Sequence, residues 1–113
     1  MSKVSISRDA RWSNYIKKRD GCCQNPFCRK AEDLEAHHII AKGDSKYGRA
    51  LRYHKKNGIA LCRNCHRNIM HGFSGKAKSM RILIEKKLGL KSRKAELIAW
   101  AKEYIKASRG TIE

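Results

Sequence analysis

Acidic residues are scarce in this chain: ten Asp and Glu stand against 27 Lys and Arg, a net charge of +17 at pH 7 over 113 residues. So one-sided a balance gives a self-repelling, soluble surface, and it makes nucleic acid the favoured partner. Long apolar runs are missing too. None approaches the roughly 20 residues of a spanning helix, so a membrane partner is not expected. The opening stretch from Met1 to Asp9 lacks the apolar core of a signal peptide, and the expected location is the cytoplasm. Internal repeats, linkers and low-complexity segments are absent. A chain this short buries only about two-thirds of its unfolded surface, so one small domain spanning residues 1–113 would need an extra staple.

The five cysteines, Cys22, Cys23, Cys28, Cys62 and Cys65, supply a candidate. An odd number without an export signal argues against a disulfide framework and for metal ligation. Cys23-x4-Cys28 and Cys62-x2-Cys65 are two knuckles with zinc-ligand spacing, and Asn25-Pro26 favours a tight turn inside the first. Four thiolates close a tetrahedral site, which suits structural zinc and leaves no open position for catalysis. Such a site contributes on the order of 10 kcal/mol to folding. Cys22 is expected to be a bystander.

Along the chain, Ser7 as N-cap and the stripe Trp12, Tyr15, Ile16 predict a helix over 8–19, followed by a turn at Asp20-Gly21. Leu34 to Ile40 and Gly58 to Leu61 read as strands. The intervening segment 41–56 reads as a long functional loop. A helix over 63–71 follows the second knuckle. Another is predicted over 76–88, with Met80, Leu83, Ile84 and Leu88 on one face and Gly89 as stop. A last helix is predicted over 93–107, with Ser92 as N-cap and Leu97, Ile98, Ala101, Tyr104 and Ile105 inward.

Once the cysteines are assigned, the histidines need a reason. His37 and His38 lie near the end of the first strand, and His66 opens the helix behind the second knuckle. Neutral imidazole binds divalent metal and accepts a proton near neutrality, two services that phosphodiester cleavage requires. Adjacent strand residues point to opposite faces, so His37 and His38 serve one site only if the strand twists or ends there.

The combined pattern resembles the HNH endonucleases, also called His-Me finger or ββα-metal nucleases. It is carried by Arg19-Asp20-Gly21, Cys23-Gln24, Cys28, Glu35-Ala36-His37-His38-Ile39-Ile40, and Asn57-Gly58-Ile59-Ala60-Leu61-Cys62 with Cys65-His66. The resemblance implies a small α+β fold, with a ββα-metal core over about 19–75. An N-terminal helix and two C-terminal helices would flank it, the latter forming a basic extension over 76–113. It implies His38 as general base, His37 and His66 as ligands of one catalytic divalent ion such as magnesium or manganese, and Asn57 as a brace for the loop and for His38. Products would carry 5′-phosphate and 3′-hydroxyl ends. Many relatives have a further histidine four residues after the one matching His66. Here position 70 is methionine and His71 comes five on, which leaves His71 between a metal or phosphate role and an ordinary histidine. The segment Gly48 to Tyr53 also resembles phage recombination nucleases of the NinG/Rap type, which act on branched DNA. That suggests a phage origin and, with it, the host-cell cytoplasm.

Residues 37–75 hold eight Lys and Arg against Asp44 alone. Lys42, Lys46, Arg49, Arg52, Lys55, Lys56, Arg63 and Arg67 are the candidate contacts to double-stranded or branched DNA. His54 reads as surface, with phosphate contact as the lesser option. Such contacts position a substrate without reading bases, and no dedicated recognition helix is visible. A non-catalytic zinc-containing nucleic-acid-binding module is the alternative reading, and a second structural zinc on the histidines is a third. Oligomeric state is left open.

Overall fold

The computed structural model describes residues 6–110; Met1–Ser5 of the opening stretch and Thr111–Glu113 lie outside them. The elements run α1 (Arg8–Asp20), β1 (Leu34–His38), α2 (Gly48–Leu51), β2 (Gly58–Cys62), a π-helical turn α3 (Cys65–Met70), α4 (Gly75–Leu88) and α5 (Leu90–Gly110). This is the small α+β arrangement expected. Among the described residues no helix is long and apolar enough to cross a membrane.

Helix α1 starts where the Ser7 hydroxyl accepts the Ala10 amide, and it ends at Gly21, whose φ of 72° is the left-handed cap. Trp12 and Ile16 are buried against the ribbon. Tyr15, expected beside them, is 40 % exposed because two strands are too narrow to cover a third position. The ammonium of Lys55 sits over its ring, 4.8 Å from the centroid. Arg19 and Asp20 then dock the end of α1: Arg19 donates to the carbonyls of Lys55 and Gly58, and Asp20 accepts the Ala60 amide.

β1 and β2 pair antiparallel from Leu34 opposite Cys62 to His38 opposite Gly58. All of β2 is buried, because α1 covers one face and the C-terminal helices the other. Ala60 packs with Trp12 and Ile16, while Ile59 and Leu61 join Ile84, Leu97 and Ala101. β1 stops at His38, two residues short of the expected Ile40. There the backbone leaves the ladder, and the side chain of Asn57 takes both the N–H and the carbonyl of Ile40. β2 runs one residue beyond Leu61.

Three further expectations change. The 41–56 loop contains α2, which has no side-chain cap to announce it but fully buries Leu51. Ser92 lies inside α5, because Gly89 (φ 63°) closes α4 and at once offers its carbonyl to Arg93 as the first bond of α5. Leu83 and Tyr104 face solvent; Ala77 takes the inward place in α4, and Tyr104 stacks on Trp100.

Gly58 is the tightest point of the α1 packing. A Cβ there would sit 2.5 Å from Cζ2 of Trp12 and 3.0 Å from Cδ1 of Ile16. Overpacking of this kind costs about 1–3 kcal/mol, so Gly58→Ala is expected to lower the urea midpoint accordingly. A midpoint equal to wild type would show that Trp12 is not seated this closely.

Candidate active site and metal centre

The first knuckle folds around Asn25, whose backbone carbonyl accepts from Cys28 and Arg29 and whose side chain accepts the Phe27 amide. The second follows β2 directly. Together they bring the Sγ atoms of Cys23, Cys28, Cys62 and Cys65 within 4.8 Å of one another. Cys28 and Cys62 are 3.8 Å apart, the ~3.8 Å that tetrahedral thiolates about 2.3 Å from one zinc require. Donors already point at the sulfurs: Asn25 Nδ2 lies 3.3 Å from Cys65, and the Cys65 amide 3.5 Å from Cys62. Burial pushes the Cys23 and Cys65 thiols up, an opposition that a bound cation removes. The four residues therefore fit a structural zinc site. Cys22 is half-buried and outside the group.

A second cluster is built on the same unit. Ring nitrogens of His37, His66 and His71 also fall within 4.8 Å of one another. Alternation along β1 puts Glu35 and His37 on one face, turned toward α3. The Glu35 carboxylate accepts from His66 Nδ1 at 3.0 Å, so Nε2 is the nitrogen turned toward the cluster. That Nε2 lies 3.3 Å from Nε2 of His71, within the roughly 3.0–3.5 Å spacing of two nitrogens about 2.1 Å from one ion. His37 Nδ1 is buried without a hydrogen-bond partner among the described residues. Burial first, then His66 and His71, hold His37 down to about 3, so it is neutral at pH 7. Burial and then His66 lower His71 as well.

His71 joins because α3 is a π-turn. The His71 amide reaches the His66 carbonyl at 3.2 Å, five residues back, so positions five apart share a face. Arg81 of α4 secures the end of that turn by donating to the carbonyls of Ile69, Met70 and Gly72.

His38 stands apart from the three. It faces α1, stacked on Trp12 with ring centroids 4.0 Å apart. Its Nε2 donates to the Arg52 carbonyl at 2.9 Å; a carbonyl only accepts, so Nδ1 carries the lone pair. Burial lowers its pKa, partly offset by that carbonyl. Asn57 is fully buried and donates to the Ile40 and Leu51 carbonyls; it meets the segment before Arg52 rather than His38 itself.

Of the basic candidates, Lys42, Lys46, Arg49, Lys55 and Lys56 are exposed along the β1–β2 connection. Three are engaged elsewhere: Arg52 forks onto Asp9, Arg67 forks onto Glu35, and Arg63 approaches Glu35 at 3.6 Å. Glu35, Asn25 and Trp12 are site residues that the sequence reading left unassigned. Strand alternation with His37 was the available signal for Glu35.

Residues 21–72, a little under half of the chain, match the family model described as HNH endonuclease. Comparison with curated proteins and with solved structures returned no match.

Two outcomes follow from this geometry. Cys28→Ser or Cys62→Ser should lose one zinc per chain and unfold the protein, while Cys22→Ser retains both metal and fold, as read by metal analysis and circular dichroism. Zinc retained in Cys28→Ser would reject the ligand set. The second concerns acid. The pKa of His37 is depressed in the folded state, so its contribution is intact above the unfolded value near 6.5 and is lost as pH falls toward 3. Measured without added magnesium or manganese, the stability of wild type relative to His37→Asn should drop by up to about 2 kcal/mol between pH 7 and 5. A difference that stays constant would contradict the burial of a neutral His37.

Proposed function

We propose that this chain, whose residues 21–72 form an HNH endonuclease domain, hydrolyses phosphodiester bonds in DNA with His38 as general base and one divalent ion on His37, His66 and His71. The HNH domain implies a nucleic-acid-cleaving function. The observation that carries the finer reading is the convergence of three imidazoles, one tied to Glu35, with a fourth at the neighbouring position of β1 whose tautomer is fixed. A divalent ion bound there would polarise a phosphoryl oxygen and stabilise the departing oxygen. Three nitrogen donors favour a transition ion over magnesium.

His38 Nδ1 takes a proton from water as the water oxygen bonds to phosphorus and the bond to the 3′ oxygen breaks. The products are a 5′-phosphate and, once the departing oxygen is protonated, a 3′-hydroxyl. The Arg52 carbonyl keeps the other ring nitrogen protonated, and Trp12 holds the ring plane. Asn57 is a positioning residue: it clamps both ends of the β1–β2 connection, and with them the carbonyl that orients His38. Lys42, Lys46, Arg49, Lys55 and Lys56 meet phosphates, and affinity falls by roughly 0.9 log units per contact per log unit of salt.

Supercoiled plasmid incubated with manganese, nickel, zinc or magnesium should be nicked, fastest with a transition ion. His38→Ala should lower the rate by about 10²–10⁴ while still binding DNA. No nicking with any of these ions would leave a zinc-containing nucleic-acid-binding module, and undiminished His38→Ala would reject the base.

A further inference from the structure

A groove of about 680 Å³ opens on the face formed by α5, the end of α1 and the turn before β2. Its wall from α5 comes from residues outside the matched segment 21–72. Trp100 lines it, and Tyr104 stacks on Trp100 with centroids 5.1 Å apart and planes 13° from parallel; the two are 43 % and 52 % exposed. The ring of His54 stands edge-on to Trp100 at 4.4 Å. Single exposed aromatics are ordinary, but Trp100 lines a cavity and, even with Tyr104 packed on it, keeps aromatic surface in water. Within the groove Arg19 and Asp20 pair with each other, so Lys56 and Arg93 are the cationic lining and Glu96 the acid set against them. In a chain of net charge +17 such a lining selects an anionic occupant that also has an aromatic face.

We propose that this groove binds an unpaired nucleotide of a single-stranded nucleic acid, with a base stacked on Trp100 and the flanking phosphates on Lys56 and Arg93. This rests on the nucleic-acid reading above and adds the substrate class. A base inside a duplex has both faces covered, so a side-chain platform accepts only bases that are free of the stack. The groove is also tied to the proposed base. Trp12 Nε1 donates to the His54 carbonyl at 2.9 Å, and the same indole supports the ring of His38. A strand gripped at Trp100 is therefore held against the turn that carries the support of His38, which suits a nuclease for frayed, gapped or branched substrates.

The test reads binding and not cleavage. Anisotropy of a labelled thymidine oligonucleotide of about 12 residues is compared with that of an abasic strand of equal length, without added magnesium or manganese. Stacking contributes about 1–3 kcal/mol per base, so wild type should hold the thymidine strand about tenfold or more tightly. Trp100→Ala should erase that preference while leaving affinity for the abasic strand unchanged, and Trp100→Phe should keep it. Equal affinity of wild type for the two strands would overturn the proposal, as would Trp100→Ala weakening both alike. A wild-type protein that shows the strand preference but nicks no plasmid would sink the catalytic reading and leave this one standing.

Discussion

The pairing of Leu34 with Cys62 and of His38 with Gly58 decides where every functional group goes. With that register, Glu35 and His37 face α3 and its histidines, while Ala36 and His38 face Trp12 of α1. A slip of one residue would exchange the faces, removing His37 from the cluster and His38 from its carbonyl. Two strands alone do not hold a register. Here it is held from both ends: by the cysteine group, which joins the stretch before β1 to the end of β2, and by Asn57, which closes the other end on Ile40 and Leu51. Zinc on the four thiolates would therefore act on the histidines through the ladder, without touching them.

Electrostatics around the histidines follows from this frame. A strongly basic chain is an unfavourable place for another cation, and the cluster sets a neutral His37 and one carboxylate against it. Burial keeps His37 unprotonated, and Glu35, held low first by its bond to His66, supplies negative charge beside the three histidines. Arg67, forked onto the same carboxylate, restrains it from swinging away. The charge proposed to grip a substrate lies apart, on the exposed lysines of the β1–β2 connection.

Much of this was legible in the sequence because it rests on local rules. Knuckle spacing named the four cysteines, Ser7 and Gly21 bounded α1, and Gly89 ended α4. What was not legible depends on tertiary context. His71 sits at a spacing of five, which an α-helix would turn away from His66; only the π-turn secured by Arg81 brings the two rings together. Ser92 has the chemistry of a cap, yet Gly89 lets α5 begin at Leu90, three residues before the start such a cap would give. Helix α2 forms because Leu51 has a core to enter. Trp12 read only as part of the α1 stripe, and its stacking on His38 follows from a strand register that no single-segment pattern contains.

The most direct measurement is anomalous diffraction from crystals soaked in manganese. The account predicts one manganese peak bonded to nitrogens of His37, His66 and His71, distinct from the zinc among the four cysteines. Manganese bound elsewhere with those three histidines unligated, or a cluster held together by hydrogen bonds alone, would contradict it.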